Sequence, residues 1–279
     1  MTVTQVVKGA VSSWISTKLS EARYRSRRWT VLCLHRVIAP DAFKALLDRA
    51  QESYRLVSLS EGFDSIRSGP LGRPLLTLTF DDADKTIWQN CLPELRKRSA
   101  PACLFVCTGF VEAGCVHSST LRFDVMTWDD LKDWVEAGLE VGAHTVNHIP
   151  LNQATLDRCK WEILESKRRL EDRLSREVSH FAYPWGYYTD ELDEWLQEDN
   201  AFRTISTTIA RDNYPSDRGK SVHRKPPPCD DQNRGIKLRN QTLYEEVRAA
   251  HQRSILNGLA PVVWRMSGRE PKGPEDPIL

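Results

Sequence analysis

No stretch of this 279-residue chain approaches the ~18 consecutive apolar residues of a membrane-spanning helix. Neither sign of charge is in excess. The 39 lysines and arginines balance 38 aspartates and glutamates, so no global field argues for nucleic acid. No Cys-x-x-Cys pair occurs among the seven cysteines, Cys33, Cys91, Cys103, Cys107, Cys115, Cys159 and Cys229. Their number is odd, and several lie in apolar runs, where a thiol packs as a small hydrophobe. The N-terminus lacks the basic start and continuous apolar core of a secretory signal. A reducing, cytoplasmic setting is the expectation. Internal repeats and composition shifts are also lacking, which favours one catalytic-size domain with short appendages.

What is present centres on Leu75-Leu76-Thr77-Leu78-Thr79-Phe80-Asp81-Asp82. The run is apolar and β-branched, is bounded by Gly72 and Pro74, and reads as a buried parallel strand ending in adjacent carboxylates. Acids at a strand's carboxyl end sit where α/β folds gather ligands. The same pair also suits the N-cap of a following helix. A second cluster, His144-Thr145-Val146-Asn147-His148, follows the short strand-like run 139–143. Its imidazoles are spaced i, i+4, which one helical turn places on the same side. With a carboxylate from elsewhere they suit a three-ligand metal site with an open position.

These segments, together with Phe181-Ala182-Tyr183-Pro184-Trp185-Gly186, resemble in order and spacing the successive motifs of the polysaccharide deacetylase family, the fourth carbohydrate esterase family, whose domain is also called the nodulation-type deacetylase homology domain. Val31-Leu32-Cys33-Leu34-His35-Arg36-Val37 resembles the first strand of its circularly permuted exopolysaccharide-deacetylase branch. The likeness covers roughly residues 30–225 and implies an α/β fold, a distorted (β/α) barrel of about seven parallel strands. It further implies a metal-dependent hydrolase that removes the N-acetyl group from an acetamido sugar in a glycan, lipid-linked sugar or small glycoside. Asp82, His144 and His148 would hold one divalent metal, Zn2+ first, with Co2+, Ni2+ or Mn2+ as alternatives. Asp81 would be the general base and the backbone N–H of Trp185 would help hold the oxyanion. In the permuted branch the acid histidine moves to the first strand, which points to His35. The local alternative is a histidine that caps the strand end. Tyr183, Pro184, Trp185 and Tyr187 are the expected substrate contacts.

Two positions depart from the family's pattern. Ala83 stands where glycine is usual, which matters only if that position needs positive φ. Ala182 stands where an arginine often orients the base. Among the other candidates, Trp88 and Tyr188 could also face a sugar, though Trp88 reads better as packing. His117, His180, His223 and His251 read as structural or surface residues. The competing functions are an amidase or deformylase acting on another C–N bond, or a non-catalytic glycan-binding relative.

The alternation places strands at 30–35, 55–58, 75–80, 102–107, 139–143, 181–183, 202–206 and 221–223. Helices are expected at 41–52, 60–68, 85–98, from Thr127 with its cap-like Thr-x-x-Asp130, 153–174, 190–197 and 241–256. Three regions follow: 1–28, 29–265 as the catalytic barrel, and the tail 266–279. The first combines an amphipathic helix at 3–19 with Arg23-Tyr24-Arg25-Ser26-Arg27-Arg28. It would either lie on an anionic membrane, placing the protein peripherally on the inner face, or pack on the barrel. The expected partners are thus an acetamido-sugar substrate and that membrane surface, with no nucleic acid.

Overall fold

The computed structural model describes residues 28–68, 72–117 and 122–227. The expectations for 1–27, the helix at 241–256 and the tail from 266 lie outside the described residues. Seven parallel strands form the main sheet in the order β1 (Trp29–Leu34), β3 (Leu75–Asp81), β4 (Ala102–Val106), β7 (Glu140–Ala143), β8 (His180–Ala182), β9 (Thr204–Thr207), β10 (Ser221–His223). The two-residue β2 (Arg55–Leu56) pairs with the start of β3. Just past β10, Lys225 bonds β1 in both directions: its N–H donates to Val31 O and its carbonyl accepts from Cys33 N, each at 2.9 Å. First and last strands are therefore neighbours, and the sheet curls into a nearly closed barrel.

Period-two alternation sorts the strands into two faces. On β3, Leu76, Leu78 and Phe80 join the large apolar cluster between sheet and helices. Leu75 turns inward with Trp29, Val31, Cys103, Phe105, Ala182 and Val222. Thr77 and Thr79 share that inward side. Both are satisfied there: Thr77 Oγ1 accepts from Trp29 Nε1 at 2.9 Å, and Thr79 Oγ1 donates to Leu32 O at 2.8 Å. Along β3 the interior gains a charged group only at the strand's carboxyl end, at Asp81.

The connecting helices are α1 (Pro40–Ser53), α2 (Leu59–Ser68), α3 (Lys85–Asn90), α4 (Leu92–Arg98), α5 (Thr108–Ala113), α6 (Trp128–Glu136), α7 (Leu156–Leu174) and α8 (Asp190–Glu198). The cap at Thr127 forms as expected, with Thr127 Oγ1 accepting from Asp130 N and Asp130 Oδ2 accepting from Thr127 N. The single helix expected at 85–98 is instead two. Pro93 has no N–H to return to Gln89 and its ring crowds that carbonyl, so the chain breaks at Cys91. The expected loop after 107 contains α5 and a hairpin of two three-residue strands, β5 (Cys115–His117) and β6 (Arg122–Asp124), too short to show a period. Among the described residues no helix is long and apolar enough to cross a membrane.

Candidate active site

β3 brings Asp81 to the rim, and the chain then turns through two left-handed residues, Asp82 (φ 70°) and Ala83 (φ 55°). Asp82 N donates to Phe105 O and Ala83 O accepts from Met126 N, which clamps the turn. Position 83 does need positive φ, so its methyl group is held there at a cost of about 1–2 kcal/mol. The helix cap is Asp84, whose Oδ1 accepts from Thr86 N at 2.8 Å. Asp81 and Asp82 are thereby left to the rim.

The two imidazoles converge, with ring centroids 4.9 Å apart, but no helical turn joins them. The segment after β7 is a loop with Thr145 (φ 68°) and His148 (φ 52°) in left-handed conformations. Thr108, Gly109 and Glu162 hold it. Thr108 N and Gly109 N donate to Thr145 O and Val146 O. A Cβ at Gly109 would lie 2.5 Å from Val146 O, so only glycine permits this approach. From α7, the fully buried Glu162 accepts from Val146 N, Asn147 N and Asn147 Nδ2 at 2.8–3.0 Å. Of the seven non-glycine residues with positive φ among the described residues, five (Asp82, Ala83, Thr145, His148, Trp185) line these loops. The other two, Ser99 and Ser175, follow helix ends. Strain is concentrated at the rim, where the surrounding hydrogen bonds over-determine it.

Asp82 Oδ1 lies 3.2 Å from His148 Nε2 and 3.7 Å from His144 Nε2. It is buried and accepts no hydrogen bond within the chain, and the three ligand atoms lie within 4.8 Å of one another. His144 Nδ1 is 2.8 Å from Ala182 O, to which it donates, turning an unprotonated Nε2 toward Asp82. Burial chiefly lowers the His144 pKa to about 4, so the ring is neutral at pH 7, the form that ligates. Burial alone would raise Asp82, but His148, His35 and His144 outweigh it and hold the carboxyl well below the usual range. This orphaned, ionised oxygen between two ring nitrogens fits a divalent cation.

Residues 68–202 match the model of the polysaccharide deacetylase family. Over that span, 135 of its 279 residues, the chain is similar to the polysaccharide deacetylase family. A Staphylococcus aureus protein named poly-beta-1,6-N-acetyl-D-glucosamine N-deacetylase is 25% identical over 149 residues, 49% of this chain and 49% of that protein. The Streptococcus pyogenes deacetylase PplD, solved in complex with acetate, aligns with a TM-score of 0.64 and 25% identity over 72% of this chain and 92% of that one. For IcaB from Ammonifex degensii the TM-score is 0.65 and the identity 26%, over 75% of this chain and 95% of that one. The alignments span 38% and 49% of the length of two curated relatives, about half or less of those proteins.

Ala182 offers Asp81 no side-chain donor, and an arginine reaches that carboxylate from another strand. Arg224, two residues beyond the inward Val222 and on the same face, makes a fork on Asp81: Nη1 to Oδ1 at 2.6 Å and Nη2 to Oδ2 at 2.9 Å. Burial would raise the Asp81 pKa, but the guanidinium outweighs it and lowers it. On the other side of the carboxylate, Cys33 Sγ donates to Oδ2 at 3.4 Å and His35 Nε2 stands 3.9 Å from it. Arg224, Cys33 and Glu162 were not among the sequence candidates.

The aromatic turn corrects part of the expectation. Trp185 is 48% exposed and packs edge-on against His148 at 5.0 Å. Tyr183 is fully buried, with its hydroxyl donated to Asp193 at 2.7 Å, and Pro184 is buried too. Tyr187 is only 6% exposed, so its ring has no open face for a sugar. Gly186 N and Tyr187 N bond back to Tyr183 O and Pro184 O, and the Tyr183 ring packs against Phe181 and Tyr188 in the apolar layer between sheet and helices. The Trp185 N–H is not used in closing the turn. Trp88 donates to Asp133 and packs, as expected. His223 bonds Thr207 and His180 sits between Ser60 and Thr204, both structural.

Proposed function

We propose that this chain is a metal-dependent N-deacetylase acting on an acetamido-sugar glycan. The observation that carries it is the convergence of Asp82, His144 and His148 beside a second carboxylate, Asp81, that Arg224 keeps ionised. The similarity to an N-acetylglucosamine polymer N-deacetylase supports the substrate class, and that to a deacetylase solved with acetate supports the reaction. Two imidazoles and one carboxylate suit Zn2+ best, with Co2+, Ni2+ or Mn2+ also compatible.

A divalent ion held there would acidify a water molecule and draw charge from the amide carbonyl oxygen. Asp81, ionised and oriented by Arg224, accepts the proton of the attacking water. The exposed Trp185 edge and its backbone N–H bound the position of the developing oxyanion. His35 gives its proton to the sugar nitrogen as the C–N bond breaks, so acetate and the free amine leave. Acetate release from acetamido glycans, including β-1,6-linked N-acetylglucosamine polymer, tests the reading. Activity should vanish on chelation and return with Zn2+. Turnover that survives thorough chelation and the double change His144→Ala, His148→Ala would overturn it.

A further inference from the structure

One cluster beside the Asp82 site is not absorbed by this chemistry. Cys33 and His35, two residues apart at the end of β1, both face Asp81. The Sγ, imidazole and carboxylate atoms of Cys33, His35 and Asp81 lie within 4.8 Å of one another. None of them belongs to the Asp82, His144, His148 set. Sulfur, nitrogen and oxygen donors together form a set that prefers thiophilic cations over Mg2+ or Ca2+. We propose that Cys33, His35 and Asp81 form a second cation site, selective for soft divalent ions such as Cd2+ or excess Zn2+, whose occupation silences the enzyme.

The donors are held at different depths. Cys33 is 7% exposed and fixed on β1, whereas the His35 side chain is 32% exposed and marks the route by which an ion enters. Asp81 Oδ2 already accepts from Arg224 and retains lone-pair capacity on the Cys33 side. Binding forms an S–metal bond and releases the Cys33 thiol proton to solvent, with no change of oxidation state. Thiolate and carboxylate offset the charge of one divalent ion, but the Arg224 guanidinium adds a positive charge beside them. The site is therefore weaker than the Asp82 site and fills second. An ion here occupies the proposed base and acid together. The silencing rests on the deacetylase reading, whereas the binding does not.

The test titrates Cd2+ into the full chain loaded with one equivalent of Zn2+, reading ultraviolet thiolate-to-cadmium absorption and acetate release in parallel. The Asp82, His144, His148 set has no sulfur, so the absorption reports only a thiolate site. Absorption should saturate with one further ion per chain, and inhibition should follow the same curve. Cys33→Ser and, as a second variant without the hydroxyl, Cys33→Ala should lose the absorption. Both should require at least about tenfold more Cd2+ for half-inhibition. Loss of absorption in these folded variants supports the site even where no glycan is hydrolysed. Absorption and inhibition unchanged in both variants would overturn it, even where hydrolysis is robust.

Discussion

Replacing Arg224 with methionine removes the only guanidinium that bonds Asp81 among the described residues, and it leaves the carboxylate at 2% exposure. What remains near it is a weak thiol donor at 3.4 Å and the His35 ring at 3.9 Å. Neither replaces two charge-assisted bonds. An uncompensated buried charge of this kind costs about 3–5 kcal/mol. The intact pair is worth far less than that, because desolvating both ions consumed most of their attraction. Asp81→Asn combined with Arg224→Met should therefore recover much of the loss. Arg224→Lys keeps the charge but not the fork, and should fall between the two. The assay is denaturant unfolding at pH 7 on the wild type, both single variants and the double variant, giving the coupling energy directly. Acetate release is measured alongside, with a fall of about 100-fold expected for Arg224→Met from misplacement of the base. A loss below about 1 kcal/mol for Arg224→Met, or a coupling energy near zero, would refute the role assigned to this pair.

Glu162→Gln places an amide donor against the N–H groups of Val146 and Asn147, and should loosen the loop that carries His148. Metal affinity, read by competition with a chromogenic chelator, is expected to weaken by about 10- to 100-fold, and an unchanged affinity would count against the positioning role. At the opposite end of the barrel, Glu140 accepts from Leu59 N and Ser60 N, and its side chain is 21% exposed. Burial would raise its pKa, but His180, Ser60 and the α2 N-terminus outweigh this and bring it from 4.5 to about 2. A depressed acid stabilises the fold above the unfolded pKa and loses that contribution as pH falls through the folded one. The shift corresponds to about 3 kcal/mol at pH 7, shrinking to about 1 kcal/mol at pH 3. The stability difference between wild type and Glu140→Gln should narrow accordingly, and a difference equal at both pH values would contradict the assignment.

The fold and the Asp82, His144, His148 cluster were legible for one reason: each depends on a short stretch. The strand 75–80 announces itself by composition; Asp82 and His144 each sit directly after a strand, and His148 lies in the loop that follows His144. Even there the local picture was wrong in kind. The i, i+4 spacing suggested a helical turn, whereas the histidines meet through a loop whose middle residues, Val146 and Asn147, are held by Glu162 and Gly109, neither of which carries a local signal. Tyr183 and Tyr187 looked available because Pro-Gly turns are usually exposed, but both are buried and only Trp185 stays open. Arg224 is the clearest case of what sequence distance conceals. It lies 143 residues from Asp81, and only closure of β10 onto β1 through Lys225 brings it there.

Ala182 and Arg224 can be understood as one arrangement. The inward methyl group of Ala182, fully buried on β8, occupies little of the barrel interior. The guanidinium of Arg224 enters that interior from β10 and lies 4.9 Å over the ring of Phe105, which lines the opposite wall. It also reaches Thr79 Oγ1 at 3.3 Å and Thr207 O at 3.3 Å. A barrel this narrow accommodates one buried arginine beside the base, not two, since a second would lack both a carboxylate and volume. The small side chain at 182 and the arginine at 224 are thus compatible neighbours in one interior, and in this chain it is β10 that orients Asp81.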